Sequence, residues 1–242
     1  MNGMPTAGRG TVLLFTGAAG SVDAITYLAA HVFTANMTGN AVLLGISAGQ
    51  GKGTAALSSL IALAAFVAGV ILGAVVVGEG DVARASVDIR RGVWLETLLL
   101  ASFAVVCFGH WSDRATILLL IVSSGLAMGV QSAAARRLKL PGIATTYITG
   151  TITSLFSGLV HHWRWSRTVG TSASSPESKP SARQSLALQA DVFLSYTLAA
   201  LASAALYSRW PSGIVAVLPL IAIIGVDVSL ARQQSKPRET TE

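Results

Sequence analysis

Six stretches of about 20 mostly apolar residues dominate the chain, and each is long enough to cross a bilayer as a helix. They run Thr11–Ala30, Ala55–Gly78, Gly92–Gly109, Ala115–Ala135, Leu186–Tyr207 and Gly213–Ala231. A backbone out of water must satisfy its own polar groups, which leaves helices or a closed barrel. The runs are continuous rather than alternating, which selects helices. Composition agrees: 12% of residues are charged, against about 25% in soluble domains. The expected fold class is an all-α membrane protein, a single membrane domain over residues 1–242 with the lipid bilayer as its main partner. The first run is longer than the roughly 7–15-residue core of a cleaved signal peptide, and only Arg9 precedes it. It is read as an uncleaved span.

The formal net charge of +6 does not point to nucleic acid. The basic residues lie in loops, as membrane topology requires, with no basic patch interleaved with aromatics. Cys107 is the only cysteine, so no intrachain disulfide and no Cys-rich metal site is expected. No cofactor is implied.

Two shorter apolar segments remain, Val32–Gly49 and Gly142–Val160. Each carries Thr-Gly near its middle, as Met37-Thr38-Gly39-Asn40 and Ile148-Thr149-Gly150-Thr151. Each follows a Gly-x-x-x-Ala piece, Gly20–Ala24 ("GSVDA") and Gly129–Ala133 ("GVQSA"). The offsets are 109 for these pieces and 111 for the Thr-Gly pieces. The shared order suggests an internal repeat, with halves at 11–110 and 115–231.

Only His31 separates the first span from Val32, too little for a turn between two full antiparallel spans, which takes roughly 2–8 residues. A re-entrant path fits. Residues 31–37, extended at about 3.3 Å each, reach the midplane of a core about 30 Å thick. A helix from Gly39 to Gly49 then returns. Thr38 is the expected N-cap, with Thr149 as its counterpart. Six spans plus two re-entrant half-helices give an inverted 3+3 repeat, a layout seen in channels and transporters with midplane substrate sites.

Charge weighs the topologies. With both segments re-entrant and a cytoplasmic N-terminus, 14 basic residues lie inside and 3 (Lys52, Arg114, Arg209) outside. Two full crossings give 10 to 7, and a seven-crossing rival with an external N-terminus gives 13 to 4. The positive-inside rule favours the first, with both termini cytoplasmic, but does not by itself reject the rival.

"SVDAITYL", "FTANMTGNAVLLG" and "YITGTITSL" resemble the signature stretches of the YoaK family of bacterial membrane proteins (domain of unknown function 1275). The resemblance covers essentially the whole chain. It implies a bacterial inner-membrane protein with about six spans, and it implies no reaction. Family members often carry Asn where this chain has Ser132.

Asp23 lies well inside the first span, where a carboxylate is costly and usually marks a pathway or proton relay. A structural cap for nearby half-helix amides explains it equally well. Thr26 or Tyr27 could hydrogen-bond Asp23, only one of them facing it at a time. Asn36, Thr38, Gly39 and Asn40 with Thr149, Gly150 and Thr151 form the expected substrate or pathway set, although caps alone would explain the threonines. Asn36-Met37-Thr38 also matches a glycosylation sequon, which burial would silence. Gln131, Ser132, Glu96, Asp191 and Asp227 read as interfacial, and His161–Trp165 ("HHWRW") as an interfacial anchor rather than a metal site. Ala65, Gly69 and Gly73 have small-xxx-small spacing, which suits internal packing better than a homo-oligomer face. Ser-rich residues 166–183 suggest a mobile cytoplasmic loop.

No His-Glu-x-x-His, Gly-x-Ser-x-Gly or phosphate-binding Gly-Lys-Ser/Thr motif is present, so no enzyme is expected. The leading functional expectation is a permease or channel for a small polar solute. A non-transporting scaffold or accessory protein comes second, and an intramembrane enzyme third.

Overall fold

The computed structural model describes residues 6–78, 85–109, 113–138, 148–168, 179–210 and 213–234. Eight α-helices lie among them: α1 (Thr6–Ala30), α2 (Met37–Gly49), α3 (Gly53–Val77), α4 (Ala85–Phe108), α5 (Arg114–Arg136), α6 (Ile148–Thr168), α7 (Lys179–Arg209) and α8 (Val217–Gln234). A 3-10 turn, Gly213–Ala216, leads into α8. No strand occurs among the described residues. α1, α3, α4, α5, α7 and α8 with its turn are long and apolar enough to span a membrane. α2 has 13 residues, about 20 Å at 1.5 Å per residue, short of a hydrocarbon core of about 30 Å. The apolar part of α6, Gly150–Val160, is shorter still.

Side-chain placement fits lipid on the outside. Phe15, Phe103, Leu100, Met128 and Ile223 are fully buried, while Val75, Val105 and Leu201 on α3, α4 and α7 are 76%, 72% and 63% exposed. Isolated aliphatic side chains at that exposure are unremarkable, but here they line the outward faces of the long apolar helices.

Two pairs of spans pack in parallel. α1 meets α7 through the Arg9–Asp191 ion pair and the Ser195 hydroxyl, which donates to the Leu13 carbonyl at 2.8 Å. Further along, Gly20 sits against the Tyr196 carbonyl. α3 meets α5 in the same sense, with Ala65 against Gly125, Gly69 against Leu126 and Gly73 against Val130. Gly129 lies against the Phe66 carbonyl. At Gly20 and Gly129 a Cβ would collide with a neighbouring backbone, so glycine alone permits the approach. The small-residue stripe of α3 is thus an internal face.

The other contacts are antiparallel. α8 meets α1 at Thr11 and Ser229 (3.3 Å), with Leu14 against Gly225. It meets α4 at Arg90 Nε and Asp227 Oδ1 (2.8 Å), with Phe108 against Gly213. Gln131 Nε2 of α5 donates to the Phe15 carbonyl of α1 at 2.9 Å, and Leu138 packs near Val12. α4 also packs on α5, α2 on α3, and α6 on α7. One end of the bundle therefore gathers the pairs Arg9–Asp191 and Arg90–Asp227, and Asp88 with Arg91 and Arg137 (3.6 and 3.5 Å). Asp113 starts α5 at the opposite end by accepting from the Thr116 hydroxyl and amide, which lowers its pKa below the usual carboxylate range.

The polar linker expected over 166–183 is partly helical: α6 runs to Thr168 and α7 starts at Lys179. Residues 169–178, and the side chains of 161–183, lie outside the described residues.

Candidate functional site

α1 ends at Ala30, and the chain reverses at once. His31 adopts φ 55°, a left-handed conformation uncommon outside glycine. Local contacts hold it there. Its amide donates to the Tyr27 carbonyl at 2.9 Å. The Tyr27 ring meets His31 edge-on at 5.9 Å and stacks on Phe33 at 4.9 Å. Residues 32–36 then run back along α1, with Val32, Thr34 and Ala35 buried.

Their destination is Asp23, seven residues before the end of α1, or about 10 Å at 1.5 Å per residue. Asp23 Oδ1 accepts from the amides of Thr34 (2.8 Å), Ala35 (2.7 Å) and Asn36 (3.4 Å). Its Oδ2 accepts from the Tyr196 hydroxyl at 2.6 Å. The carboxyl, only 2% exposed, is thus surrounded by four donors. Three of them are backbone amides with no helical acceptor, because they precede α2.

Asn36 caps α2, its Oδ1 accepting from Gly39 N at 3.2 Å. Asn40, fully buried, clasps the backbone of Phe33: its Oδ1 accepts from Phe33 N at 2.9 Å and its Nδ2 donates to the Phe33 carbonyl. The Phe33 ring lies over Gly39. A short turn at residues 50–52 joins α2 to α3, and the two pack as an antiparallel hairpin. α3 runs opposite to α1, so α2 starts beside Asp23 and points the same way as α1.

Four expectations need correction. The N-cap of α2 is Asn36, not Thr38; the helix starts at Met37, and Thr38 is exposed on its first turn. Neither Thr26 nor Tyr27 reaches the Asp23 carboxyl. The Thr26 hydroxyl donates to the Val22 carbonyl at 2.9 Å, and Tyr27 turns outward onto Phe33. Gln131 is fully buried rather than interfacial. So is Glu96, because α4 begins at Ala85, well before the apolar run that suggested its boundary. Asp191 and Asp227 do lie near the ends of their spans, in ion pairs with Arg9 and Arg90.

In the second half, Thr151 is buried and engaged, and Gly150 is exposed. The Thr149 side chain lies outside the described residues. Ser132, 109 residues after Asp23, keeps a buried hydroxyl with no partner among the described residues. The structure therefore brings Asp23, Asn36, Gly39 and Asn40 together and adds Tyr196, which reasoning from sequence missed. It lies 173 residues from Asp23 inside an apolar run, where a tyrosine gives no signal of its partner. Among the described residues no cluster of three metal-ligating side chains occurs.

A family model described as a protein of unknown function, DUF1275, matches residues 11–227. The chain belongs to the DUF1275 family. It is 38% identical over 142 residues to the UPF0700 transmembrane protein YoaK of Bacillus subtilis (strain 168), a match covering 58% of this chain and 62% of that protein. The aligned region thus spans less than two thirds of the relative. No solved structure matches. The DUF1275 chain is a multi-pass membrane protein, as the name of its relative and its own six long apolar helices both indicate.

Proposed function

We propose that this DUF1275 protein is a permease or channel for a small polar solute in the bacterial inner membrane, with its path beside the non-helical stretch His31–Asn36. One observation carries the reading: irregular backbone turns inward to the depth of Asp23, within a bundle whose outer surface is apolar. Such backbone is tolerated at membrane depth only inside protein or along a cavity, and transporters place it at substrate sites. Asp23, Asn36, Thr38, Gly39 and Asn40 would line the path in the first half, and Thr149, Gly150 and Thr151 in the second.

Helix directions support the re-entrant topology. α1 and α7 are parallel, whereas the seven-crossing rival requires them to oppose. α2 points the same way as α1, whereas two full crossings require it to reverse. The basic end of the bundle would then be cytoplasmic, with both termini there.

The inverted repeat is supported by packing. Mapping α1–α4 onto α5–α8 turns the contact of α1 with α7 into that of α5 with α3. It likewise turns α1 with α8 into α5 with α4, and α2 with α3 into α6 with α7. Gly20 on Tyr196 becomes Gly129 on Phe66.

The scaffold reading draws on a different observation. All three amides and Tyr196 are satisfied by Asp23, as in a fixed cap. Purified protein in liposomes, screened against classes of small polar solutes, separates the two. Transport requires uptake above empty liposomes that falls in Asp23→Asn at equal protein level; no uptake of any class favours the scaffold. Reporters fused to each terminus test the orientation, and a periplasmic N-terminus would overturn it.

A further inference from the structure

Among the described residues, Glu96 is the buried side chain with two unpartnered polar atoms. It stands near the centre of the candidate span Val87–Phe108 and is fully buried. Neither carboxyl oxygen has a hydrogen-bond partner among the described residues. Its own helix face is Ile89, Val93, Leu100 and Phe103, all buried. The neighbouring helices can be registered from their end contacts. Gly92 lies against Ala134 of α5, and Arg90 pairs with Asp227 of α8. Carried along at equal rise, Glu96 falls level with Val130 of α5, and midway between the α8 registers set by Arg90–Asp227 and by Phe108 against Gly213 it falls level with Ile223, both buried and apolar. Next to Val130, Gln131 keeps its Oε1 unpartnered.

The charged groups on the elements around α4 are all at the bundle ends. α8 offers Asp227, held by Arg90, and Arg232 in its last turn; α5 offers Arg114 at one end and Arg136 and Arg137 at the other; α3 and the 3-10 turn offer none. Arg90 is six residues from Glu96, about 9 Å along the helix. A bare carboxylate in this layer would be buried without a counter-charge, which is costly. A metal cation needs several oxygens, and among the described residues no group of three metal-ligating side chains occurs. A proton needs a single oxygen.

We propose that Glu96 is the proton-exchange site of the bundle and that protons are the coupling ion; the coupling rests on the transport reading above. In the step, one O–H bond forms on a Glu96 oxygen with a proton taken from water on one side. That bond breaks again to return the proton to water on the other side, and nothing is oxidised or reduced. While protonated, the acid brings no net charge into the apolar layer.

The test uses full-length protein in liposomes with carbon-13 glutamate. The other four glutamates, Glu79, Glu177, Glu239 and Glu242, lie outside the six candidate spans. Infrared difference spectra between acid and alkaline buffer are expected to show a labelled carboxylic-acid band that disappears on alkalinisation and is missing in Glu96→Gln. An internal pH dye under an imposed potassium potential is expected to report proton entry that falls in Glu96→Gln to the level of empty liposomes. A wild-type band that ignores pH, or no such band, overturns the proposal without any variant, as does undiminished proton entry in folded Glu96→Gln. Titration and proton entry without uptake of any solute would uphold proton exchange and sink the solute reading instead.

Discussion

On α1, Asp23 gathers three backbone amides and the Tyr196 hydroxyl; on α5, the position matched to it by the proposed repeat, Ser132, holds nothing among the described residues. Across from it, α3 has Phe66 where α7 has Tyr196. Yet the backbone contacts of the same two places agree, because Gly20 seats on the Tyr196 carbonyl and Gly129 on the Phe66 carbonyl. Packing is duplicated and polar chemistry is not. Close helix approach depends on an absent side chain, which both halves preserve. The buried carboxyl answers a local need, the unpaired amides ahead of α2.

The largest effect expected from this contrast is on Asp23. Asp23→Leu strands the buried amides of Thr34 and Ala35, at about 1–3 kcal/mol each, together with the part-buried amide of Asn36, and should leave little folded protein after detergent extraction. Asp23→Asn keeps an acceptor oxygen for those amides and should retain the fold. Ser132→Ala removes a hydroxyl that has no partner among the described residues and should leave the thermal midpoint unchanged or slightly higher. Equal losses for Asp23→Leu and Ser132→Ala would break the asymmetry.

The glycines should behave as a pair. Gly20→Ala and Gly129→Ala each drive a methyl group into a neighbouring backbone that cannot turn aside. Overpacking costs about 1–3 kcal/mol, and the upper part of that range is expected for both. Thermal unfolding in detergent reads it, and a large loss for one with a silent other would count against the repeat.

Tyr196→Phe should come next, at about 1–2 kcal/mol, the scale of a side-chain hydrogen bond between membrane helices. It makes α7 resemble α3 at this point and leaves Asp23 with its backbone donors. A loss as severe as that of Asp23→Leu would mean that the tyrosine, rather than the amides, is what the carboxyl serves.

The bundle was largely legible in the sequence, because 20-residue apolar runs have few fates and charge restricts how they are threaded. The proposed repeat would have its trace in Gly20 and Gly129, where a missing side chain permits close packing. Long-range polar partners left none: Tyr196 and Phe15 meet Asp23 and Gln131 only through tertiary structure. Glu96 was misplaced for a physical reason. Arg90 and Arg91 read as the edge of a loop, but the ion pair with Asp227 and the Asp88 network let α4 carry them within the helix. The span therefore starts earlier, and Glu96 lies deep.

The smallest predicted effect sharpens the contrast within α2 itself. A threonine just before an apolar run is a good cap in isolation, which is why Thr38 looked like one. In the fold, Asp23 takes the amides of residues 34–36, and Asn36 caps the helix by accepting from the Gly39 amide at 3.2 Å. Asn36→Ala should therefore cost about 1 kcal/mol, the usual loss of an N-cap. Thr38→Ala should fall within about 0.5 kcal/mol of wild type, as for an exposed side chain without a special contact. Thermal melts of the two variants side by side decide it. A reversed order would return the cap to Thr38 and move the start of α2 two residues further from Asp23, which would loosen the link between the carboxyl and the half-helix that the proposed path requires.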